Sequence, residues 1–246
     1  MIELMTIVLI IMLVLFAMWL YKKIMIKQTK SRLGITQILN DGSIVEAIDR
    51  DIIASSQLPF DGKLLASFFA TYLTMRESRG AGNWSGLMSA YLFRWEVEGL
   101  IKTSVDANQR LHIVFNDAKP ITEIELEFYD ILNANDLLAF DYDLLKDWSQ
   151  KVLALGEQAL LETGDVAFDQ KNRIRFTREG YDKSLDHGRF AKYWLDLSLA
   201  IFNELDDKRQ REQLCFALLL ELIDENSDVY SDMSEELQIA SRVWRF

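Results

Sequence analysis

The sequence predicts a mainly α chain with small antiparallel β-hairpins, an α+β architecture behind one N-terminal transmembrane helix. Three observations predict it. An apolar run, Leu4 to Tyr21, opens the chain. A helix running into a hairpin then occurs twice, at one offset of 61 positions. From Gly188 onward the hydrophobic spacing is again helical.

The apolar run contains one polar residue, Thr6. Its eighteen residues at ~1.5 Å each reach roughly 27 Å, close to the hydrocarbon thickness of a bilayer. Trp19 and Tyr21 sit at its C-terminal edge, where amphipathic rings favour the interface, and Lys22, Lys23 and Lys27 follow at once. Only Glu3 precedes the run. The positive-inside rule then places the N-terminus outside and residues 22–246 in the cytoplasm of a single-pass cell-membrane protein. A cleaved signal peptide needs its charges before the apolar stretch and small residues after it. Here the charges follow, and bulky Trp19, Leu20 and Tyr21 hold the cleavage position. The bilayer is thus the first expected partner, through residues 4–21.

Half of the 246 residues are hydrophobic and only Pro59 and Pro120 are proline, which suits a packed domain rather than disorder. The net charge of −11 is uneven. Residues 1–35 hold five basic against one acidic residue; the rest holds 22 against 37. Such an acidic body disfavours general nucleic-acid binding, which depends on neutralising phosphates. Cys215 is the only cysteine, so an intrachain disulfide and a cysteine zinc site are excluded. His112 and His187 lie 75 positions apart, which excludes a histidine-rich metal centre. No cofactor is expected.

After a basic juxtamembrane connector, 22–57, come two winged-helix-like units, 58–120 and 121–187, then a C-terminal helical segment, 188–246. Asn40-Asp41-Gly42-Ser43 and Gln57 to Gly62 read as turns, with Asp61 a candidate N-cap. Lys63 to Met75 has helical spacing through Leu64, Leu65, Phe68, Phe69 and Tyr72. Ser85 is a candidate N-cap for a helix to about Glu98, stopped by Gly99 in the left-handed region. Leu100 to Val105 and Leu111 to Phe115 then alternate as a hairpin with one buried face. Tyr142 to Leu161 repeats the helix, and Gly164 to Phe168 with Arg173 to Phe176 repeats the hairpin. The offset of 61 pairs Leu100 with Leu161, Gln109 with Gln170, Ile113 with Ile174, and Phe115 with Phe176. The tail ends in helical Leu214–Ile223 and Glu235–Trp244.

The run Asn83 to Leu92, closing on Glu98-Gly99-Leu100-Ile101-Lys102, resembles the cytoplasmic part of a bacterial predicted membrane-protein family with a domain of unknown function (number 2207). In that family an apolar helix ends in a Gly-hydrophobic-hydrophobic-Lys step into a hairpin. A Tyr-Trp-Leu-like stretch, here Phe190 to Leu199, precedes the final helices. The resemblance spans residues 58–223. The family's large extracytoplasmic domain has no counterpart in these residues, and the family has no established chemistry to carry over.

The candidate sites are few. Gly80 to Gly86 is glycine-rich, but it follows a helix, does not fit G-x-G-x-x-G and has no Walker lysine, so it reads as a connector. Asn83-Trp84-Ser85 matches a glycosylation acceptor, on the wrong side of the membrane. Asp224, Asn226, Asp228, Asp232 and Glu235 follow the spacing of calcium-loop ligands. Val229 holds the position where glycine makes the sharp turn, so calcium is not the expected occupant and a solvated acidic loop is. Lys171, Arg173, Arg175 and Arg178 make the second wing the most basic part of the body. Arg173 and Arg175 alternate with Ile174 and Phe176, so both are expected on one exposed face, suited to a protein's acidic surface or anionic lipid. The helix before each wing lacks a basic face, unlike a DNA-recognition helix. His112 lies mid-strand, His187 is expected in a loop beside Gly188, and Cys215 in the core; no catalytic motif surrounds them.

The sequence therefore favours a non-enzymatic, membrane-tethered interaction or adaptor module with a protein partner at the inner membrane face. A membrane-bound DNA-binding regulator and a calcium-responsive switch are the alternatives.

Overall fold

A computed structural model describes residues 36–46, 52–77, 83–105, 111–134, 145–222 and 229. The expected membrane anchor with Trp19, Tyr21, Lys22, Lys23 and Lys27 lies outside the described residues, as do Gln109, the acidic positions Asp224, Asn226, Asp228, Asp232 and Glu235, and the last expected helix. Among the described residues, no helix is long and apolar enough to cross a membrane.

The chain is mainly helical with small two-stranded antiparallel sheets, as its hydrophobic periodicity predicts. Strands β1 (Thr36–Ile38) and β2 (Ile44–Glu46) flank the Asn40–Ser43 turn. Helices α1 (Leu64–Glu77) and α2 (Trp84–Val97) lead to β3 (Ile101–Val105) and β4 (Leu111–Phe115). Then come α3 (Glu123–Ala134), α4 (Lys146–Glu162), β5 (Val166–Phe168) and β6 (Ile174–Phe176). The described part closes with α5 (Arg178–Ser184), α6 (Asp186–Asp196), α7 (Leu199–Asn203) and α8 (Asp207–Leu219). Two local expectations are corrected. Asn83, not Ser85, caps α2, its side chain accepting from Gly86 N at 3.1 Å. His187 sits on α6 rather than in a loop, because Gly188 continues that helix instead of ending it.

Both long helices that precede a hairpin end alike. Gly99 (φ 70°) and Gly164 (φ 73°) take the left-handed conformation. Leu100 N then donates to Trp95 O at 2.8 Å, and Asp165 N to Leu160 O at 2.9 Å. This six-to-one closure satisfies carbonyls that the helix end would leave open. Ile101 pairs with Phe115 and Val166 with Phe176, so the two hairpins share one frame. The frame revises the offset. Gly99 matches Gly164 at 65 positions while Phe115 matches Phe176 at 61, because the second hairpin is four residues shorter. The counterpart of Leu100 is therefore Asp165, not Leu161.

Two apolar cores form. The larger gathers α2, α3, α6, α8 and the N-terminal half of α4, with Trp95, Phe128, Trp148, Phe190 and Trp194 fully buried. Phe128 stacks on Trp148 at 4.6 Å and tilts against Trp95 at 5.5 Å. Two buried indoles find acceptors: Trp148 Nε1 donates to Ile124 O at 2.9 Å and Trp194 Nε1 to Leu222 O at 2.9 Å. The smaller core joins β1–β2, α1, the end of α4, β5–β6 and α5. Here Asn40 N donates to Phe176 O at 2.9 Å, fastening the first hairpin to the second wing. Helix contacts run across the expected unit boundaries: α1 packs on α4 and α2 on α8. At the first of these seams a Cβ on Gly156 would come within 2.6 Å of Phe69 Cβ.

Candidate functional site

The second wing is organised by one carboxylate. Asp169 Oδ1 accepts from Lys171 N at 2.8 Å and Arg173 N at 2.9 Å, which shapes the turn, and Asn172 takes φ 55°. Its Oδ2 lies 2.7 Å from an Arg173 guanidinium nitrogen and 3.8 Å from Arg175 Nε. The hydrogen bonds from Arg173 hold the Asp169 carboxyl below the usual carboxylate range. Ile174 and Phe176 point into the smaller core, so the alternation predicted from sequence holds. The exposed face is only half as expected. The Arg173 side chain is 49% exposed, whereas Arg175 is 12% exposed, folded down toward Asp169 opposite small Ala167. Lys171 and Arg178 are exposed. Hydrogen bonding from Ser43 holds Asp41 below the carboxylate range, and the charge of Arg178 adds to this. Arg178 follows Phe176, whose carbonyl accepts from Asn40 N in the β1–β2 turn.

A second surface escaped the sequence. Helices α2 and α8 run antiparallel, with Asn83 Nδ2 donating to Leu219 O at 2.5 Å at one end. That bond occupies the nitrogen a glycan would need. Midway, the Cys215 thiol faces Ala90 O at 3.6 Å; burial pushes its pKa up to about 12, so it is a protonated core residue and no nucleophile. The other end opens into a cavity of about 510 Å³. Leu64, Phe93 and Phe216 give it apolar walls, and Arg94, Lys208 and Arg211 stand there with Glu98, Asp207 and Glu212. Its volume falls within the range of small-ligand pockets. These residues come from segments more than a hundred positions apart, so no local pattern announces them.

The helices that lead into the wings bear on nucleic-acid reading. Helix α2 is buried from Gly86 through Phe93 and again at Trp95, closed over by α8. The exposed side of α4 carries Lys146 and Lys151 with Asp147 and Glu162, and Lys151 is paired with Glu127 at 2.8 Å. Among the described residues, no group of three or more His, Cys, Asp or Glu side chains is placed to hold a metal ion. His112 is exposed on β4. No family model matches the chain, and neither a curated protein nor a solved structure matches it.

Proposed function

We propose that this chain is a membrane-tethered interaction module. One transmembrane helix over residues 4–21, with the N-terminus outside, holds two winged-helix-like units and a helical tail at the inner face of the membrane, where they bind a protein partner. The observation that carries this reading is the burial of α2. In a winged-helix DNA reader the helix before the wing enters the major groove. Here α8 covers that helix, and the matching helix α4 has a charge-balanced face. The units then serve as scaffolding, with the α2–α8 cavity and the second wing as free surfaces. Tethering confines the module to two dimensions and raises its effective concentration toward membrane partners.

The test is in-cell crosslinking of the full-length chain, followed by detergent extraction and mass spectrometry. Wild type runs beside Lys208→Glu/Arg211→Glu at the cavity and Lys171→Glu/Arg178→Glu at the wing. A small set of proteins recovered with wild type and lost from the cavity variant supports the module. Recovery of the chain alone, or a salt-sensitive shift of duplex DNA by the full-length chain, overturns it.

A further inference from the structure

An antiparallel hairpin with one face on the core normally turns polar residues outward. The β1–β2 hairpin does not. Gln37 pairs with Val45 facing the core, while the neighbouring pair, Ile38 with Ile44, is 41% and 70% exposed. The second wing, fastened to this hairpin through Asn40 and Phe176, exposes Phe168 to 51%. Arg178 opens α5 two residues after Phe176, whose carbonyl accepts from Asn40 N in the same hairpin's turn, and Lys171 lies at the tip of the wing. Asp41 and Glu179 are also there, so this patch is near neutral while the body around it is acidic.

We propose that the β1–β2 hairpin and the adjoining second wing form a lipid-docking face, with Ile38, Ile44 and Phe168 entering the headgroup layer of the anionic inner leaflet. The inference rests on the tethered reading above and deepens it. Between Tyr21 and β1 stand fourteen residues with five cations and no acid. Fully extended they reach ~50 Å, so β1 is held close to the bilayer. Those cations draw the segment to an anionic surface, and the same surface repels the acidic body. The near-neutral, apolar hairpin is thereby turned toward the lipid. A second copy of the chain fits less well: three exposed side chains offer roughly 300 Å², against ~800 Å² per partner in a specific protein interface.

The test uses the full-length chain in a Cys215→Ala background, reconstituted into phosphatidylcholine vesicles with and without phosphatidylglycerol. A spin label is placed at position 44 through Ile44→Cys, at 168 through Phe168→Cys, and at the fully exposed position 121 through Ile121→Cys as reference. Collisions with dissolved oxygen and with a polar nickel chelate report depth. In anionic vesicles the labels at 44 and 168 are expected to meet the nickel chelate several-fold less often than the label at 121. Lys171→Glu/Arg178→Glu is expected to restore those collisions. Equal nickel access at all three positions overturns the proposal, as does spin–spin broadening at 44, which would mean a second copy. Alkaline carbonate extraction of the same vesicles reads the anchor separately. Release of the chain sinks the tether, whereas retention with a water-exposed position 44 sinks only the docking face.

Discussion

A Cβ placed on Gly86 would lie 2.3 Å from the carbonyl oxygen of Leu219, so α2 and α8 meet with no room for a side chain between them. The same carbonyl accepts from Asn83 Nδ2, whose Oδ1 caps α2. Gly86→Ala has to separate the helices or break the cap. The expected loss is ~2 kcal/mol, the usual cost of overpacking a tight core. It reads out as a lower urea midpoint with unchanged slope. A midpoint equal to wild type would mean the helices are not this close.

Arg94 on α2 makes a second seam by reaching the Glu125 carboxylate on α3, whose other oxygen accepts from Trp95 Nε1 at 3.3 Å. The Glu125 side chain is 8% exposed and Arg94 is 34% exposed. Removing Glu125 leaves the half-buried guanidinium with Glu98, 4.0 Å away, as its remaining carboxylate among the described residues; removing Arg94 leaves a buried carboxylate with the Trp95 indole as its side-chain partner among them. A double-mutant cycle with Arg94→Met and Glu125→Leu is expected to give a coupling of ~1–3 kcal/mol, the double variant being more stable than Arg94→Met alone. Additive losses would show that the two residues do not act as a pair.

The helix–glycine–hairpin units were legible because each is local: apolar spacing, a left-handed glycine and strand alternation all fall within some thirty residues. Gly99 and the inward Ile174 and Phe176 were correct for that reason. The four-residue shortening of the second hairpin was not legible, since one offset fits the strands while another fits the helix caps. β1 and β2 are as short as β5 and β6, three residues each, but no repeat of an earlier hairpin sets them out as it does the second wing. Gly188 does not stop the chain because it lies in the first turn of α6, where glycine costs a helix only about 1 kcal/mol; a Cβ there would meet Ile52 Cδ1 at an ordinary 3.4 Å. The α2–α8 cavity was out of reach, since pairing across a hundred residues leaves no mark on either segment. Arg175 shows the limit of alternation: it gives the face of the strand but not whether a nearby carboxylate draws the side chain down.

His187 gives a pH prediction. Its Nδ1 lies 3.1 Å from Ser184 O, its ring stands 5.5 Å from Phe60, and burial lowers its pKa from 6.5 to about 4. The unfolded chain therefore binds a proton that the folded chain refuses. This penalty is absent above about pH 6.5 and grows as pH falls toward about 4, below which the folded form also takes the proton. The difference is on the order of 3 kcal/mol. His187→Phe keeps a ring beside Phe60 and loses the titration. Relative to wild type, the variant is expected to gain stability steadily between pH 6.5 and 4. Parallel stability curves across that window would show that His187 already accepts a proton in the fold.

Asp165 joins α4 to the second wing and to α5, which makes Lys183 more than a surface charge. The Asp165 side chain is 3% exposed, and Lys183 Nζ lies 2.8 Å from Oδ1 while Thr163 Oγ1 donates to Oδ2 at 2.5 Å. Its backbone carbonyl accepts from Thr177 N at 3.0 Å, and Thr177 Oγ1 accepts from Gly180 N at 3.1 Å to start α5. A Cβ on Gly180 would sit 1.7 Å from that carbonyl, so α5 can enter only on a glycine. Lys183→Met leaves the buried carboxylate with the Thr163 hydroxyl as its remaining side-chain partner among the described residues. The expected loss is about 2 kcal/mol, the partial exposure of Lys183 keeping it below that of a fully buried pair. Asp165→Asn on that background removes the charge and is expected to recover part of the loss, since Asn still accepts from Thr163. If the double variant were less stable than Lys183→Met, the carboxylate would be held by its other partners and the lysine would be incidental. Hydrogen exchange separates these cases, because only a joint resting on the ion pair loses protection at Thr177 and Gly180 when Lys183 is replaced.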